Sequence, residues 1–207
     1  MLRTWVFIDG IYRNYQPMSD TRRGLFKRLG LTSRTHYVVS TGIGGSFPDG
    51  RAIALDSWAA IGLDSRQVRY LEAPHLLSRT DLYGVTFERG AVVTFGDRRL
   101  VLLAGTASCS PEGETLHSGN LAAQLERTME NLEGLLTEAG GSFTDLAYLL
   151  AYVRNNEDGE SARSLLDKRL PDVPLLVVQG QVCRPEWLVE LEGTALLAGG
   201  DPRWPAF

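Results

Sequence analysis

Short apolar runs that are rich in β-branched and aromatic residues recur along the chain, and they predict strands. Turn residues separate them. Between two of the runs, Gly96 and Asp97 form a hairpin signal, so the flanking strands are expected to pair antiparallel. The predicted strands are Thr4–Ile8, His36–Ser40, Ala91–Phe95, Leu100–Ala104, Tyr148–Val153, Leu175–Gln179 and Leu188–Leu196.

A second spacing, with apolar residues every three or four positions, predicts helices. It is clearest at Leu121–Ala139, where the apolar positions form one stripe and Gly140 follows the last turn. A shorter helix is predicted at Thr21–Leu29 with Asp20 as its N-cap, and a third at Glu160–Arg169. The chain therefore alternates strands with three helices.

The order of these elements repeats in part. A strand, a helix and two further strands run from Trp5 to Ala59, and the same order runs from Leu149 through LVELEGTA. The second set is preceded by its own hairpin and long helix, whereas the first starts abruptly. We therefore expect an α+β fold, a mixed or largely antiparallel sheet with helices packed on one face. Residues 1–86 would form a partial half-unit plus connector, and residues 87–207 a complete domain.

Composition narrows the class of protein. The 207 residues have ordinary apolar and charged content and a net charge of -4, with no basic stripe for nucleic acid. The cluster Arg22, Arg23, Lys27 and Arg28 is interpreted as the solvated face of one helix. Two cysteines are too few for a disulfide framework, and three distant histidines lack zinc spacing. The short N-terminal apolar run is neither a signal peptide nor a membrane span, so a cytoplasmic protein without a membrane partner is expected.

The segment LVELEG offers the strongest candidate for acid chemistry. In a strand, Glu190 and Glu192 point to the same side, roughly 6–7 Å apart. Burial and a like-charged neighbour both raise the pKa of a carboxyl group, which suits a general acid near neutral pH. We predict Glu190 as that acid. The alternative is that both glutamates face solvent on an edge strand.

Other polar residues are weaker candidates. Cys183 and Arg184 lie at the turn before this strand; a lone cysteine is more often a small buried hydrophobe than a nucleophile, and Arg184 could bind a carboxylate or be solvated. Thr106 and Ser108 end a core strand near a helix N-terminus, where they could bind an anion or serve as turn residues. The arginines that could hold a carboxylate bidentately are Arg3, Arg79, Arg89 and Arg154.

Seven short motifs, in this order and spacing, resemble the chorismatases, a group within the wider Rid/YjgF-like superfamily. The likeness runs over nearly the whole chain, and its later segments also fit the broader Rid-like pattern. The motifs are RTW (3–5), STGIGG (40–45), LYG followed by FERG (82–90), LAGTAS (103–108), HSGNLAAQ (117–124), YVR (152–154) and VCRPEWLVELEG (182–193).

The resemblance implies a function. Chorismatases hydrolyse the enol-ether side chain of chorismate and release pyruvate, and the matching glutamate, here Glu190, protonates the enolpyruvyl methylene. Arg3 and Arg154 match arginines of the family motifs and Tyr83 matches the tyrosine of YG, so all three are expected to bind substrate. Cys183 matches a pocket position and is predicted, with Glu190, as a catalytic residue. No metal or organic cofactor is implied. A small carboxylate substrate and a homo-oligomer, with a trimer favoured and a dimer possible, are the expected partners.

Two departures leave alternatives open. The chain resembles a chorismatase without a large N-terminal portion, and the loop around LYGVTFERG is abbreviated. The expected function is a cofactor-free, chorismatase-like hydrolase of secondary metabolism, acting on an enol ether or related unsaturated carboxylate. The alternatives are a Rid-like enamine/imine deaminase and a non-catalytic binding protein. The deaminase is less favoured because Leu175 and Leu176 follow Pro174, where its carboxylate-binding arginine would be expected.

Overall fold

The computed structural model describes residues 1–80 and 84–207, so the predicted site residue Tyr83 lies outside the described part of the chain. That part contains three helices and nine strands. The helices are α1 (Ile11–Arg28), α2 (Leu121–Ala139) and α3 (Gly159–Arg169). The strands are β1 (Arg3–Ile8), β2 (Val39–Gly44), β3 (Ile53–Trp58), β4 (Val68–Leu71), β5 (Gly90–Thr94), β6 (Arg98–Ala107), β7 (Leu146–Val153), β8 (Leu175–Gln179) and β9 (Val189–Ala198).

The strands form two sheets. The small sheet has the order β2-β1-β3, and the large sheet has the order β4-β5-β6-β9-β7-β8. Two pairs, β1 with β2 and β7 with β8, are parallel, and the other pairs are antiparallel. The mixed α+β architecture predicted from the sequence is therefore confirmed, as is the β5–β6 hairpin at Gly96-Asp97.

The partial repeat is visible in the topology. In both sheets a strand, a helix and a parallel strand are followed by a third strand that pairs antiparallel with the first, which relates β1-α1-β2-β3 to β7-α3-β8-β9. The two copies differ at the third strand. Strand β9 is flanked by β6 on its other side, whereas β3 is the edge of the small sheet, with Ile53 and Leu55 exposed.

Successive side chains of β9 point to opposite faces of the large sheet, so the strand separates the main apolar core from the polar site. Val189 and Leu191 belong to the main apolar core, which α2 covers on one face of the large sheet. Glu190 and Glu192 point to the opposite face, where side chains of the small sheet meet them. The predicted bounds of α2 are confirmed, and Asn120 caps it by accepting a hydrogen bond from the Ala123 amide at 3.1 Å.

The first helix differs most from its prediction. It begins at Ile11, ten residues before the predicted start, after Gly10 in the left-handed conformation. Asp20 is therefore a residue within the helix and not its N-cap. The interpretation of Arg22 as solvated is also wrong, because its guanidinium donates to the hydroxyl of Thr86 at 2.8 Å and to that of Ser40 at 2.9 Å.

Two strands also departed from the sequence pattern. Strand β2 begins at Val39, three residues later than predicted, and continues through the glycines of STGIGG. These glycines are needed for packing, since a Cβ on Gly42 would lie 3.1 Å from the ring of Tyr15. Strand β4 was not predicted, because VRYL is short and half of it is polar.

Candidate active site

A cavity of about 230 Å³ lies between the two sheets and α1. Helix α1 and strands β1 and β2 form one wall, β6 and β9 form the other, and the segments before β5 and β9 close the ends. The polar and ionisable side chains that line it include Tyr15, Arg22, Arg89, Cys183, Arg184 and Glu190. Its volume is below the roughly 300–1,000 Å³ typical of pockets for drug-sized ligands, so it suits a small ligand.

Glu190 occupies the large-sheet wall of this cavity, with only 4% of its surface exposed. On β9 it lies opposite Ala107 of β6 and Tyr152 of β7. Strand β6 has a bulge between Leu103 and Thr106, and Gly105 lies within it. A Cβ on Gly105 would lie 1.9 Å from Oε1 of Glu190, so the carboxyl group packs directly against the glycine backbone.

The carboxyl group of Glu190 is held in its neutral form. Burial is the largest cause and the charge of Glu192 the second, and together they raise the pKa of Glu190 from 4.5 to about 8, with Arg89 acting in the opposite direction. Among the described residues, no side chain donates a hydrogen bond to this carboxyl group. Near neutral pH this carboxyl group is therefore mostly protonated, and Glu190 lines the cavity.

Glu192, two residues further on, has the opposite environment. Its carboxylate is 2.9 Å from the guanidinium of Arg3, and its Oε1 accepts hydrogen bonds from Trp5 Nε1 at 2.8 Å and the Tyr152 hydroxyl at 3.2 Å. The Thr41 hydroxyl donates to Oε2. These four partners satisfy an anion, which explains how Glu192 is accommodated with 1% of its surface exposed.

Three arginines make the cavity cationic. Arg89 is buried and donates to the Ser78 carbonyl at 3.1 Å. Arg184 lies over the Trp187 ring at 4.7 Å and donates to the Gly113 carbonyl at 2.7 Å. Arg22 is anchored on α1, and burial lowers the pKa of its guanidinium. All three contribute to the lining, so a bound anion would meet positive charge from three segments.

Cys183 lines the same cavity and is a free thiol. Burial, followed by the charge of Glu190, raises the pKa of Cys183 well above its usual value. A thiol in this environment stays protonated near neutral pH, and the thiolate is the nucleophilic form. Cys183 therefore contributes a small, weakly polar surface to the cavity.

Four of the predicted binding residues do not line the cavity. Arg3 is fully buried and is paired with Glu192. The Thr106 hydroxyl donates to the Ala104 carbonyl at 3.1 Å, and the Ser108 hydroxyl donates to the Leu116 carbonyl at 3.0 Å. Arg154 donates to the Pro185 carbonyl and to Asn155 Oδ1 at 3.2 Å. Of the residues predicted from the sequence, Glu190, Cys183 and Arg184 come together at the cavity, as does Arg89 from the wider set of candidate arginines.

Sequence reasoning missed Arg22 and gave Arg89 only as one of several possible arginines. Arg22 reaches the cavity because α1 starts earlier than predicted and lies against the small sheet, and no local pattern carries that information. Arg89 precedes a buried strand at the FERG motif, which was an available signal. In the described part of the chain, no group of three or more His, Cys, Asp or Glu side chains could hold a metal ion.

The fold and this acid-bearing cavity define an α+β protein of the Rid/YjgF type. The family model described as Endoribonuclease L-PSP matches residues 89–197, and the chain belongs to this family. The chain is 28% identical to 3-hydroxybenzoate synthase of Streptomyces hygroscopicus, over 95% of its own length and 63% of that protein. It is 31% identical to a chorismatase of Streptomyces rapamycinicus over 39% of its own length and 27% of that protein.

The fold is also that of a solved chorismatase. The crystal structure of that protein matches with a TM-score of 0.76 and 21% identity, over 94% of this chain and 63% of the other. A likeness at this identity shows the fold. The chain thus spans about three fifths of the length of these longer proteins. No helix in residues 1–80 and 84–207 is long and apolar enough to cross a membrane.

Proposed function

We propose that this protein is a chorismatase-like hydrolase or lyase that cleaves an enol ether, with chorismate as the first substrate to test. Glu190 is the general acid, and no cofactor takes part. The observation that carries the proposal is a neutral carboxylic acid, buried in an arginine-lined cavity of about 230 Å³. The similarity to 3-hydroxybenzoate synthase and to chorismatases supports the choice of substrate.

The acid is suited to the difficult step of this reaction. Protonating the methylene carbon of an enol ether needs a donor that is neutral at the working pH and still acidic enough to give up its proton. A pKa of about 8 meets both conditions near pH 7. The backbone of Gly105 fixes one side of the carboxyl group and leaves the other side facing the cavity.

The charges of the cavity suit a substrate with two carboxylates. With Glu190 protonated, the charged side chains among the described lining residues are the guanidinium groups of Arg22, Arg89 and Arg184. Planar guanidinium groups match carboxylates bidentately, so they suit a substrate that carries carboxylates. We therefore assign substrate binding to three arginines. Arg184 is kept from the predicted substrate-binding residues, and Arg22 and Arg89 are added because they line the cavity.

The proposed reaction balances with water alone. Glu190 transfers its proton to the methylene carbon and leaves an oxocarbenium ion, which the nearby carboxylate form of Glu190 stabilises. Water adds to the cationic carbon and gives one proton back to the Glu190 carboxylate. The resulting hemiketal then breaks its bond to the ring oxygen, and its hydroxyl proton is transferred to that oxygen as the pyruvate carbonyl forms. The products are pyruvate and a hydroxylated ring carboxylate, which is either retained or dehydrated to a hydroxybenzoate.

Release of pyruvate from chorismate tests this function. Purified protein is incubated with chorismate, pyruvate is followed by its reduction with lactate dehydrogenase and NADH, and the ring product is identified by chromatography. We expect Glu190→Gln to lose at least about 100-fold in kcat, the low end of the effect of a positioned acid. Glu186→Gln is the matched control, because this exposed carboxylate lies four residues before Glu190.

Four results would contradict the proposal, each in a different way. Absence of pyruvate at high protein concentration would exclude chorismate as substrate. Full activity of Glu190→Gln would exclude this acid. Loss of 2-aminoacrylate generated in solution would favour a Rid-like deaminase, and thermal stabilisation by chorismate without turnover would favour a binding protein.

We also propose that the protein is a homo-oligomer, with a trimer favoured. Apolar residues of the small sheet and α1 support this, since Leu55 is 59% exposed and Leu29 is 65% exposed. The division into a half-unit (1–86) and a complete domain (87–207) is proposed with it, supported by the repeated topology and the family match at 89–197. Sedimentation velocity over a range of concentrations measures the assembly, and a monomer at all of them would refute it.

A further inference from the structure

We infer that Glu192 is a positioning residue, whose fixed negative charge keeps the neighbouring Glu190 carboxyl group in its proton-donating form. This rests on the proposed function, in which Glu190 is the acid. Glu192 does not line the cavity and would not touch a bound ligand. It acts through Glu190.

The geometry around Glu192 defines an anion. Three hydrogen-bond donors and one ion-pair partner surround the carboxylate. We call them the Glu192 cage: the donors are Trp5 of β1, Thr41 of β2 and Tyr152 of β7, and the ion-pair partner is Arg3 of β1. Arg3 and Trp5 are donor-only groups, whereas the hydroxyl groups of Thr41 and Tyr152 can donate or accept. The feature that favours an ionised Glu192 is therefore the charged guanidinium of Arg3, buried 2.9 Å from its carboxylate.

The cage is anchored to the backbone, and it reaches Glu190. Arg3 donates a hydrogen bond to the Gly193 carbonyl at 3.0 Å, and its guanidinium lies 4.6 Å from the centre of the Trp5 ring. The Thr41 hydroxyl donates to Glu192 and also accepts from the Gly105 amide at 2.9 Å. Gly105 in turn packs directly against the carboxyl group of Glu190. The Thr41 hydroxyl group therefore contacts Glu192 and also holds the backbone against which the Glu190 side chain lies.

A fixed anion at this distance favours the neutral form of the acid. Residues i and i+2 of a strand lie about 6–7 Å apart, and two buried carboxylates at that distance resist double ionisation. A buried ion pair is not needed for stability alone, since apolar residues of similar volume often replace such pairs without loss. Among the described residues, the other titratable or charged groups around Glu190 lie on α1, before β5, before β9 and on β7: Tyr15, Arg22, Arg89, Cys183, Arg184 and Tyr152.

The test compares two substitutions that disturb the cage but differ in charge. Glu192→Gln removes the anion, and we expect the alkaline limb of the kcat/KM profile to move to lower pH by at least about one unit. Glu192→Asp shortens the side chain and keeps the charge, so its alkaline limb should stay near that of the wild type even if the rate falls. A purely structural role predicts equal effects on rate and no movement of the limb for either variant.

A double substitution guards against failure to fold. Glu192→Gln leaves the buried guanidinium of Arg3 without its ion-pair partner, which is strongly destabilising. Arg3→Gln combined with Glu192→Gln removes both charges, and we expect a smaller shift in the same direction. Glu186→Gln controls for loss of a carboxylate and should leave the profile unchanged. An unmoved alkaline limb in both the single and the double variant would overturn the inference.

A measurement without substrate separates this inference from the proposed function. Carboxyl carbon NMR of protein labelled at glutamate follows the titration directly, with the Glu190 signal assigned by its loss in Glu190→Gln. The signal should titrate at lower pH in Glu192→Gln than in the wild type. If chorismate is not turned over but this shift is observed, the proposed function fails and the positioning role of Glu192 stands. If turnover is observed and the titration is unchanged, the inference fails alone.

Discussion

Replacing Glu190 by glutamine should remove a specific dependence of stability on pH. The folded protein holds Glu190 at a pKa of about 8, whereas the unfolded chain holds it near the ordinary value of 4.5. Between these values the folded state binds more protons than the unfolded state. This group therefore gives its full stability below about pH 4.5 and loses it progressively as the pH rises to 8. Glutamine has the same shape and does not titrate.

The size of the effect follows from the two pKa values. Each pH unit within the window costs about 1.4 kcal/mol. Rounding of the titration near pH 8 reduces the loss between pH 6 and pH 8 to about 2 kcal/mol. For a chain of this length, 1 kcal/mol corresponds to roughly 2–4 °C in Tm, so the wild type should lose about 4–8 °C relative to Glu190→Gln over the same interval.

Urea unfolding followed by tryptophan fluorescence measures the difference at each pH. Residues other than Glu190 titrate in both proteins, so the quantity of interest is the gap in the free energy of unfolding between wild type and Glu190→Gln. Glu186→Gln, which replaces an exposed carboxylate, should keep a constant gap from the wild type. A Glu190→Gln gap that is equal at pH 6 and pH 8 would show that Glu190 is already ionised at pH 6, and the general-acid role would be refuted.

The remaining predictions test the place of the acid, the state of the thiol and the core. Gly105→Ala should lower kcat/KM for chorismate about 100-fold, because the added Cβ would displace Glu190. Gly24→Ala is the control and should retain activity, because the space around Gly24 is open. Equal activity of the two variants would contradict the close packing of Gly105 against Glu190. Cys183 should react with iodoacetamide at pH 8 at least about 10-fold more slowly in the native protein than after unfolding, because its pKa is raised, and rapid native modification would contradict this. Leu136→Ala should cost about 2–5 kcal/mol in urea unfolding, because this fully buried side chain of α2 fills the core; a loss below 1 kcal/mol would show that the core is not closed there.

Local sequence patterns correctly predicted the elements that carry their own helix or strand signals, such as a single apolar stripe, a cap and a terminal glycine. Helix α2 has one apolar stripe, an Asn cap and a terminal glycine, and its predicted and observed bounds agree. Helix α1 lacks these signals in its first half. Pro17 lies within it, and Gly10 precedes it in a left-handed conformation. Its N-terminal turns are stabilised by packing on β1 and β2, which a short sequence window does not reveal.

The cavity was harder to predict because its walls come from distant parts of the chain. The hydroxyl groups of Thr106 and Ser108 donate hydrogen bonds to nearby backbone carbonyl groups, as those of ordinary strand and turn residues do. Arg22 reaches the cavity only because the small sheet lies against the large one, and Thr86 and Ser40 hold its guanidinium there. Residue type indicated which side chains could bind a carboxylate, and tertiary packing decided which ones face the cavity.

The two glutamates of LVELEG show most clearly what local sequence leaves undecided. They share a residue type, a strand and a face, so alternation alone cannot say which is the acid and which is the anion. The difference comes from Arg3, Trp5 and Thr41, which lie at least 149 positions earlier in the chain and bring their donors to Glu192. Glu190 meets instead the bare backbone of Gly105 and the cavity. Because two buried carboxylates so close together cannot both ionise cheaply, satisfying one of them with donors leaves the proton on the other. The small sheet supplies Arg3, Trp5 and Thr41 of the cage, and Tyr152 of the large sheet completes it. In the proposed mechanism, this asymmetry is what makes Glu190 and not Glu192 the proton donor.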